Sequence, residues 1–163
     1  MNKTAVAISL SLMLVSTLAC KKAAMPEAQP TDVLDHVSKA PSTPPVNLVH
    51  GAFKVATYTK FEFEVPAHSI TPRLEGSFES ALATQSAAPS NIDLLIMTPD
   101  EFEDFTHGHS GTSRYSVMGS PGQTVAYELP STLDSPQKYF VVFRNSAGKG
   151  SPRAVKADLI ASF

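Results

Sequence analysis

The chain has 163 residues, of which 42% are hydrophobic and only 17% charged, and its formal net charge is −2. This length suits one domain with additional segments, and the slightly acidic balance argues against a nucleic-acid binder, which would show a basic stripe. Low charge together with 13 prolines favours an extracytoplasmic β-domain over a highly charged cytosolic helical protein.

Residues 1–19 have the three parts of a secretory signal. Lys3 provides a short positive start, an almost continuous apolar run extends from Ala5 to Val15, and small residues follow up to Ala19. The apolar run is too short to span a bilayer, which takes about 20 apolar residues. Residues 1–19 are therefore predicted to be a signal peptide that is removed.

Cys20 is the only cysteine of the chain, and it directly follows Leu18 and Ala19. This arrangement resembles the lipobox of bacterial lipoproteins, with Thr17 in place of the usual leucine. The resemblance implies cleavage before Cys20, lipidation of its thiol with a diacylglycerol, fatty acylation of the new amine, and hence a lipid anchor in the cell envelope. Lys21 after the cysteine implies the outer membrane if the source is Gram-negative. The alternative is an ordinary signal peptide cut near Ala19, which leaves Cys20 free.

Residues 20–45 are predicted to be the lipidated cysteine followed by a linker. Prolines are interleaved there with alanine, serine, threonine and glutamine, and prolines stiffen a chain and prevent regular strand pairing. A linker of this kind would hold a folded domain away from the membrane. The alternative is a segment without a selected role.

Residues 46–163 show the pattern of short β-strands separated by turns. Phe61–Val65 alternates strictly between apolar and acidic residues, and Val155–Phe163 alternates almost to its last residue, as half-buried strands do. Ile92–Met97 and Tyr139–Phe143 are nearly all apolar and are predicted to be central strands. Seven or eight such strands without a long helical period predict an all-β fold, an antiparallel β-sandwich.

The second half of this domain resembles GOLD-type β-sandwiches. The similarity lies in the strand Asn91–Ile96 with its proline turn, in the aromatic strand within Gln137–Ser146 that ends in Asn145, and in the final alternating strand. The paired cysteines that are usual in that family are absent here. GOLD domains act as interaction modules without catalysis, and the resemblance implies such a role for residues 74–163.

One segment contains candidate metal ligands. A short helix is predicted at Pro99–Phe105, because proline at a first-turn position and acids near the N-terminus favour helix initiation. Four carboxylates and two imidazoles fall within ten residues, namely Asp100, Glu101, Glu103, Asp104, His107 and His109. Imidazole with carboxylate suits Zn²⁺, and carboxylates alone suit Ca²⁺, but the spacing is not that of an EF-hand loop. A metal site at His107, His109 and Asp104 is one interpretation, and a solvated acidic turn is the other.

Two further motifs lack parts that their chemistry needs. Gly108–Thr112 has threonine where a nucleophile elbow needs its last glycine, and no strand-to-helix turn of an α/β sheet is predicted there. Gly148–Ser151 lacks the earlier glycine and the following helix of a phosphate-binding loop. No catalytic residue and no cofactor are therefore predicted.

The sequence predicts a membrane-tethered extracytoplasmic binding module without enzymatic activity. Its predicted partners are the membrane, through the lipid anchor, and an envelope protein, lipid or glycan that loops or a sheet edge would contact. No nucleic-acid partner is expected. The alternatives are a metal-dependent binding protein or enzyme that uses Asp100–His109, and a structural subunit of a larger assembly.

Overall fold

The computed structural model describes residues 43–84, 88–109, 112–149 and 151–163, which all belong to one compact unit, Lys39–Phe163. The predictions for the signal peptide, for lipidation at Cys20 and for most of the linker lie outside the described residues. Within the described part of the chain, no helix is both long enough and apolar enough to cross a membrane.

Eight β-strands and one short helix make up the regular structure of the described residues. In chain order they are β1 (Val46–Val55), β2 (Tyr58–Val65), β3 (Arg73–Leu82), β4 (Ile92–Met97), α1 (Pro99–Thr106), β5 (Tyr115–Ser120), β6 (Gly122–Glu128), β7 (Gln137–Arg144) and β8 (Arg153–Ser162). The helix predicted at Pro99–Phe105 is present and ends one residue later.

The strands form two four-stranded antiparallel sheets that pack face to face. Sheet A has the strand order β1-β8-β3-β6, and sheet B has the order β2-β7-β4-β5. The chain changes sheet at nearly every connection, and this strand order is that of a jelly roll, a double sheet made from Greek keys. The structure thus confirms the predicted all-β sandwich.

The main core lies between the two sheets and follows the two-residue period of a strand. Along β3, Leu74 and Phe78 are buried, whereas Glu75 and Glu79 are exposed. The ring of Phe78 meets Phe143 of β7 edge-on at 5.7 Å between centroids, so the two sheets interlock through aromatic side chains. The alternation read from the sequence is therefore the alternation between core and solvent.

The outer face of sheet B carries a second apolar cluster, and α1 covers it. All residues of β4 are buried. The cluster is formed by outward-facing residues of β4 and β7, namely Leu95, Met97, Phe140 and Val142. Phe102 and Phe105 of α1 pack against it, with 4.9 Å between the ring centroids of Phe102 and Phe140. This cover explains why β4 and β7 are apolar on both faces.

A capping box starts α1 at the end of β4. The side-chain oxygen of Thr98 accepts a hydrogen bond from the backbone N–H of Glu101, and the Glu101 carboxylate accepts one from the backbone N–H of Thr98 at 2.9 Å. Pro99 occupies the first turn, where its missing N–H costs nothing. The helix is only eight residues long, and the apolar cluster beneath it supplies the packing that so short a helix needs.

The strand register places the connections at two opposite ends of the sandwich. Val46, where the chain enters β1, pairs with Ala161, and Arg73 at the start of β3 pairs with both Ser162 and Glu128. The start of β1, the β2–β3 loop and the β6–β7 loop therefore share one end, here named the entry end. The β3–β4 and β7–β8 loops lie at the other end.

Candidate functional site

The outer face of sheet A is open to solvent in the middle of the sheet. Its strand register gives two adjacent rows of outward-facing positions across the four strands. The first row is Ala52, Lys156, Glu79 and Gly122, and the second row is His50, Asp158, Ser77 and Thr124. Each of these eight residues is exposed. This face therefore offers small and charged groups where sheet B offers apolar ones.

Small side chains leave a shallow depression of about 720 Å³ in this face. Alanines from three strands, Ala52, Ala81 and Ala154, contribute to its lining, and Pro89 and Pro121 lie at its border. A second depression of about 310 Å³ shares Ser77, Glu79 and Lys156 with the first, so the two are continuous along the centre of the sheet. We name this pair of depressions the sheet A groove.

The chemistry of the sheet A groove is that of a polar recognition surface. Glu79 and Lys156 are register partners on β3 and β8, yet neither side chain makes a hydrogen bond or ion pair with another described residue. Ser77 and Thr124 in the second row add hydroxyl groups. His50 and Asp158 in the same row form an exposed pair, with 3.4 Å between His50 Nδ1 and Asp158 Oδ2. Charged donors and acceptors are therefore free to meet a ligand here.

A second surface surrounds Arg144 at the far end of sheet B. Its guanidinium meets the Asp93 carboxylate with Nη2 and Nε at 2.8 and 2.9 Å from Oδ2. The backbone N–H of Gly119 donates to the other oxygen of Asp93 at 2.7 Å. The Asp93 side chain is 3% exposed, so this group is a buried anion with a complete set of partners.

Depressions of about 230 and 530 Å³ lie beside Arg144, both also lined by Phe105. Because Asp93 already neutralises the guanidinium and takes up two of its donors, Arg144 mainly ties β7 to β4. We therefore regard the Arg144 surface as structural and the sheet A groove as the better candidate site.

The structure brings only part of the predicted metal-ligand segment together. His109 Nδ1 lies 3.4 Å from an oxygen of Asp104, while His107 Nδ1 lies 2.8 Å from the backbone carbonyl oxygen of Glu103. Glu101 is held by the capping box and by Arg114, at 3.0 Å. Within the described ranges, no group of three or more His, Cys, Asp or Glu side chains could hold a metal ion. A metal at His107, His109 and Asp104 stays a prediction.

Two strand charges at the entry end of sheet B form an exposed pair. Lys138 Nζ lies 2.8 Å from a carboxylate oxygen of Glu62. The hydrogen bond between them lowers the pKa of Glu62 and raises the pKa of Lys138. Both groups are exposed at the surface, so the pair contributes little to stability.

The tyrosines act mainly as packing residues. Tyr139 is buried, and its ring stacks on Phe63 at 5.7 Å. Tyr115 and Tyr127 are half-buried, with 5.1 Å between their ring centroids. Burial raises the pKa of Tyr127 and of Tyr139.

Sequence reasoning missed the alanines and Lys156 of the sheet A groove. Ala52, Ala81 and Ala154 come from three strands that are far apart in sequence, and an exposed alanine carries no signal of its own. Lys156 was visible only as one polar position in an alternating strand. Sequence reasoning also missed Asp93, which lies in a run otherwise made of apolar residues.

Comparison with known proteins gives a likeness in fold at low sequence identity. No protein-family model and no curated protein sequence matches the chain. Among solved structures, TmCBM61 in complex with beta-1,4-galactotriose shares 13% identity with a TM-score of 0.40, over 68% of this chain and 67% of that one. The insecticidal delta-endotoxin Cry8Ea1 of Bacillus thuringiensis shares 14% identity with a TM-score of 0.36, over 69% of this chain and 19% of that one. A chain of infectious bursal disease virus, Gx strain, shares 12% sequence identity with a TM-score of 0.36, over 73% of this chain and 31% of that one.

Proposed function

We propose that this protein is a lipid-anchored module of the cell envelope that binds a polar partner on the sheet A groove and has no enzymatic activity. The observation that carries the proposal is the groove itself: an open depression of about 720 Å³ in which Glu79 and Lys156 lack partners among the described residues. The sequence of residues 1–20 supports the anchor.

The lining of the groove favours a polar ligand over an apolar one. Alanine and serine side chains let a ligand approach the sheet closely, while Lys156 can donate and Glu79 can accept hydrogen bonds. Charge-assisted hydrogen bonds are about twice as strong as neutral ones, so a ligand with hydroxyl, amide or charged groups would gain most here. An extended glycan or peptide that runs along β3 and β8 has this character.

A bulky side chain in the groove tests the proposal. In Ala52→Trp an indole would fill the depression from β1, and in Ala126→Trp the same indole would stand on β6 of the same sheet, outside the groove. Both positions are exposed, so both variants should fold. Each tagged protein is isolated from native membranes after mild crosslinking, and is also sedimented with purified cell-wall glycan.

We expect wild type and Ala126→Trp to retain the same partner and Ala52→Trp to lose it by about tenfold or more, as an obstructed contact surface should. Equal recovery by all three proteins would remove the groove as the binding surface. Cys20→Ala tests the anchor separately, because loss of the diacylglycerol should release the processed protein from membranes in a fractionation assay.

A further inference from the structure

Two loops at the entry end hold large aliphatic side chains out into solvent. Ile70 in the β2–β3 loop is 78% exposed, and Leu133 in the β6–β7 loop is 79% exposed. Each value is well above that of the next most exposed large hydrophobic residue among the described ones, Met118, at 57%. A soluble surface tolerates single exposed residues of this kind, but two on adjoining loops at one end of the domain point to a contact surface.

The two loops are fastened to each other by hydrogen bonds. The backbone N–H of His68 donates to the carbonyl oxygen of Leu133 at 2.8 Å, and that of Thr132 donates to Ser69 at 2.9 Å. The hydroxyl of Ser131 donates to the carbonyl oxygen of Ile70. The loops therefore run antiparallel, with Ser69 opposite Thr132 at the centre.

Ile70 and Leu133 lie beside the buried centre of this pairing. Ser69 and Thr132 are 7% and 8% exposed, and a hydrogen bond of 3.0 Å joins the Ser69 N–H to the Thr132 hydroxyl. Ile70 directly follows Ser69 and Leu133 directly follows Thr132, so the two most exposed aliphatic side chains lie next to this buried pair. We name this arrangement the aliphatic tip.

The aliphatic tip lies at the end of the domain where the chain enters. Val46 pairs with Ala161, one position from the Ser162 that pairs with Arg73, and the β2–β3 loop leads directly into Arg73. The described chain therefore enters β1 at the end that presents Ile70 and Leu133. A membrane that holds Cys20 can face this end without the chain having to run along the length of the sandwich.

We propose that the aliphatic tip inserts Ile70 and Leu133 into the lipid surface that carries the anchor, so that the membrane orients the domain. The proposal rests on the lipid anchor of the proposed function. A protein interface would need about 800 Å² on each partner, whereas the tip offers two side chains on loops of small and polar residues. Two aliphatic side chains are enough to enter the outer part of a bilayer when a tether keeps them close to it.

The backbone and the charges of the entry end agree with a lipid occupant. Hydrogen bonds between the loops engage the N–H groups of His68, Ser69 and Thr132, so these donors need no water partner near the lipid. Arg73 and Glu128 lie 3.8 Å apart at the same end, and the exposed Asp134 directly after Leu133 adds a negative charge that anionic lipid would not attract. Insertion should therefore require no anionic lipid.

The absence of tryptophan from the chain allows a direct test. Leu133→Trp and Ile70→Trp each create a protein with a single indole at the tip, and Ala147→Trp places the indole in the β7–β8 loop at the opposite end. The full-length lipidated proteins are reconstituted into phosphatidylcholine vesicles with and without brominated acyl chains. Emission maximum and quenching by bromine report whether each indole enters the lipid.

We expect blue-shifted and strongly quenched emission for Leu133→Trp and Ile70→Trp, and unshifted, unquenched emission for Ala147→Trp. Adding Ile70→Ser to Leu133→Trp should reduce the quenching, because removal of one buried aliphatic chain weakens partitioning by about tenfold. Equal, water-like emission from all three reporters would overturn the proposal. So would an indole at the tip that is protected only in native membranes and not in protein-free vesicles, since that result identifies a protein occupant.

Mass analysis of the N-terminus separates this inference from the proposed function. If Cys20 carries no lipid, the anchor fails, and the tip is then measured with vesicles supplied in excess. Acylated protein with a water-like tip would retain the anchor and reject the insertion.

Discussion

The outer faces of the two sheets differ in polarity and in whether another element covers them. On sheet B, Leu95, Met97, Phe140 and Val142 form an apolar surface that α1 has to cover. On sheet A, the corresponding face carries alanine and serine together with Glu79 and Lys156, which are register partners on β3 and β8, and this face stays open. An apolar face without a cover would expose a contiguous hydrophobic patch, whereas a polar face can remain in water at little cost. The difference indicates which face stabilises the fold and which is free to bind.

The Asp93–Arg144 pair of sheet B and the Arg73–Glu128 pair of sheet A differ in burial. Asp93 and Arg144 on sheet B are joined by two contacts, and Asp93 is buried. Arg73 and Glu128 on sheet A are 3.8 Å apart, with side chains 54% and 65% exposed. A buried ion pair is costly to break from one side, and an exposed one contributes about 0–1 kcal/mol.

Arg144→Met should have the largest effect, because it leaves the Asp93 carboxylate buried without its cation. Breaking a buried pair from one side costs about 3–5 kcal/mol, and the partial exposure of Arg144 places the expected loss near the lower limit, at about 3 kcal/mol. Urea unfolding measures this loss. The control Arg73→Met breaks the exposed pair and should cost less than about 1 kcal/mol. Similar losses in both variants would contradict the distinction between the faces.

Phe102→Ala should have the next largest effect, because it opens the cover of sheet B. Phe102 packs on Phe140 at 4.9 Å, and the Lys60 ammonium lies 4.6 Å from the centre of its ring. Removing a fully buried phenylalanine costs about 3–5 kcal/mol, and for this half-buried ring we expect about 2 kcal/mol together with increased binding of a hydrophobic dye. Thermal unfolding and dye fluorescence measure both effects. Glu103→Ala on the exposed side of α1 is the control and should change stability by no more than about 0.5 kcal/mol. An equal loss in both variants would contradict the role of the Phe102 ring in the cover.

The local pattern of the sequence predicted most of the strands and the helix. Phe61–Val65 alternates because β2 has a core side and a solvent side, and a two-residue period is visible without any knowledge of partners. Pro99 and the acids that follow it predicted α1 for a similar reason, because these helix-start signals lie within a single turn. Features that a single segment determines can be read from that segment.

The sequence did not predict the sheet A groove, the Asp93–Arg144 pair or the aliphatic tip, because each of them joins residues that are far apart in sequence. Arg144, whose Nε donates to the Asp93 carboxylate, lies 51 positions from Asp93 in the sequence. Ser69 and Thr132, which join the β2–β3 and β6–β7 loops, are 63 positions apart. Asp93 interrupts an apolar run, and only the register with β7 shows that it has a cation beside it. The strand order, which the sequence left open, determines each of these contacts.

Tyr139→Phe should have a smaller effect on stability, and only at alkaline pH. The Tyr139 ring belongs to the main core between the two sheets. Burial raises the pKa of the Tyr139 phenol above its ordinary value of 10.0. The unfolded chain therefore ionises first, and the folded state loses stability as the pH rises above about 10. Without the phenol, this contribution to the loss disappears. Urea midpoints at pH 8 and pH 11 should differ less for the variant than for wild type, and an unchanged difference would contradict the burial argument.

The smallest effect on stability is expected for substitutions on the open outer face of sheet A. These substitutions test the comparison between the two sheets most directly. Lys156→Met and Glu79→Gln remove charges that have no partner within the described chain, so each should change the free energy of unfolding by no more than about 0.5 kcal/mol. Both should nevertheless weaken recovery of the crosslinked partner. A loss of 2 kcal/mol or more would mean that these charges stabilise sheet A, as Asp93 and Arg144 stabilise sheet B. Because binding and stability are measured on the same variants, a loss of binding at unchanged stability assigns Lys156 and Glu79 to recognition.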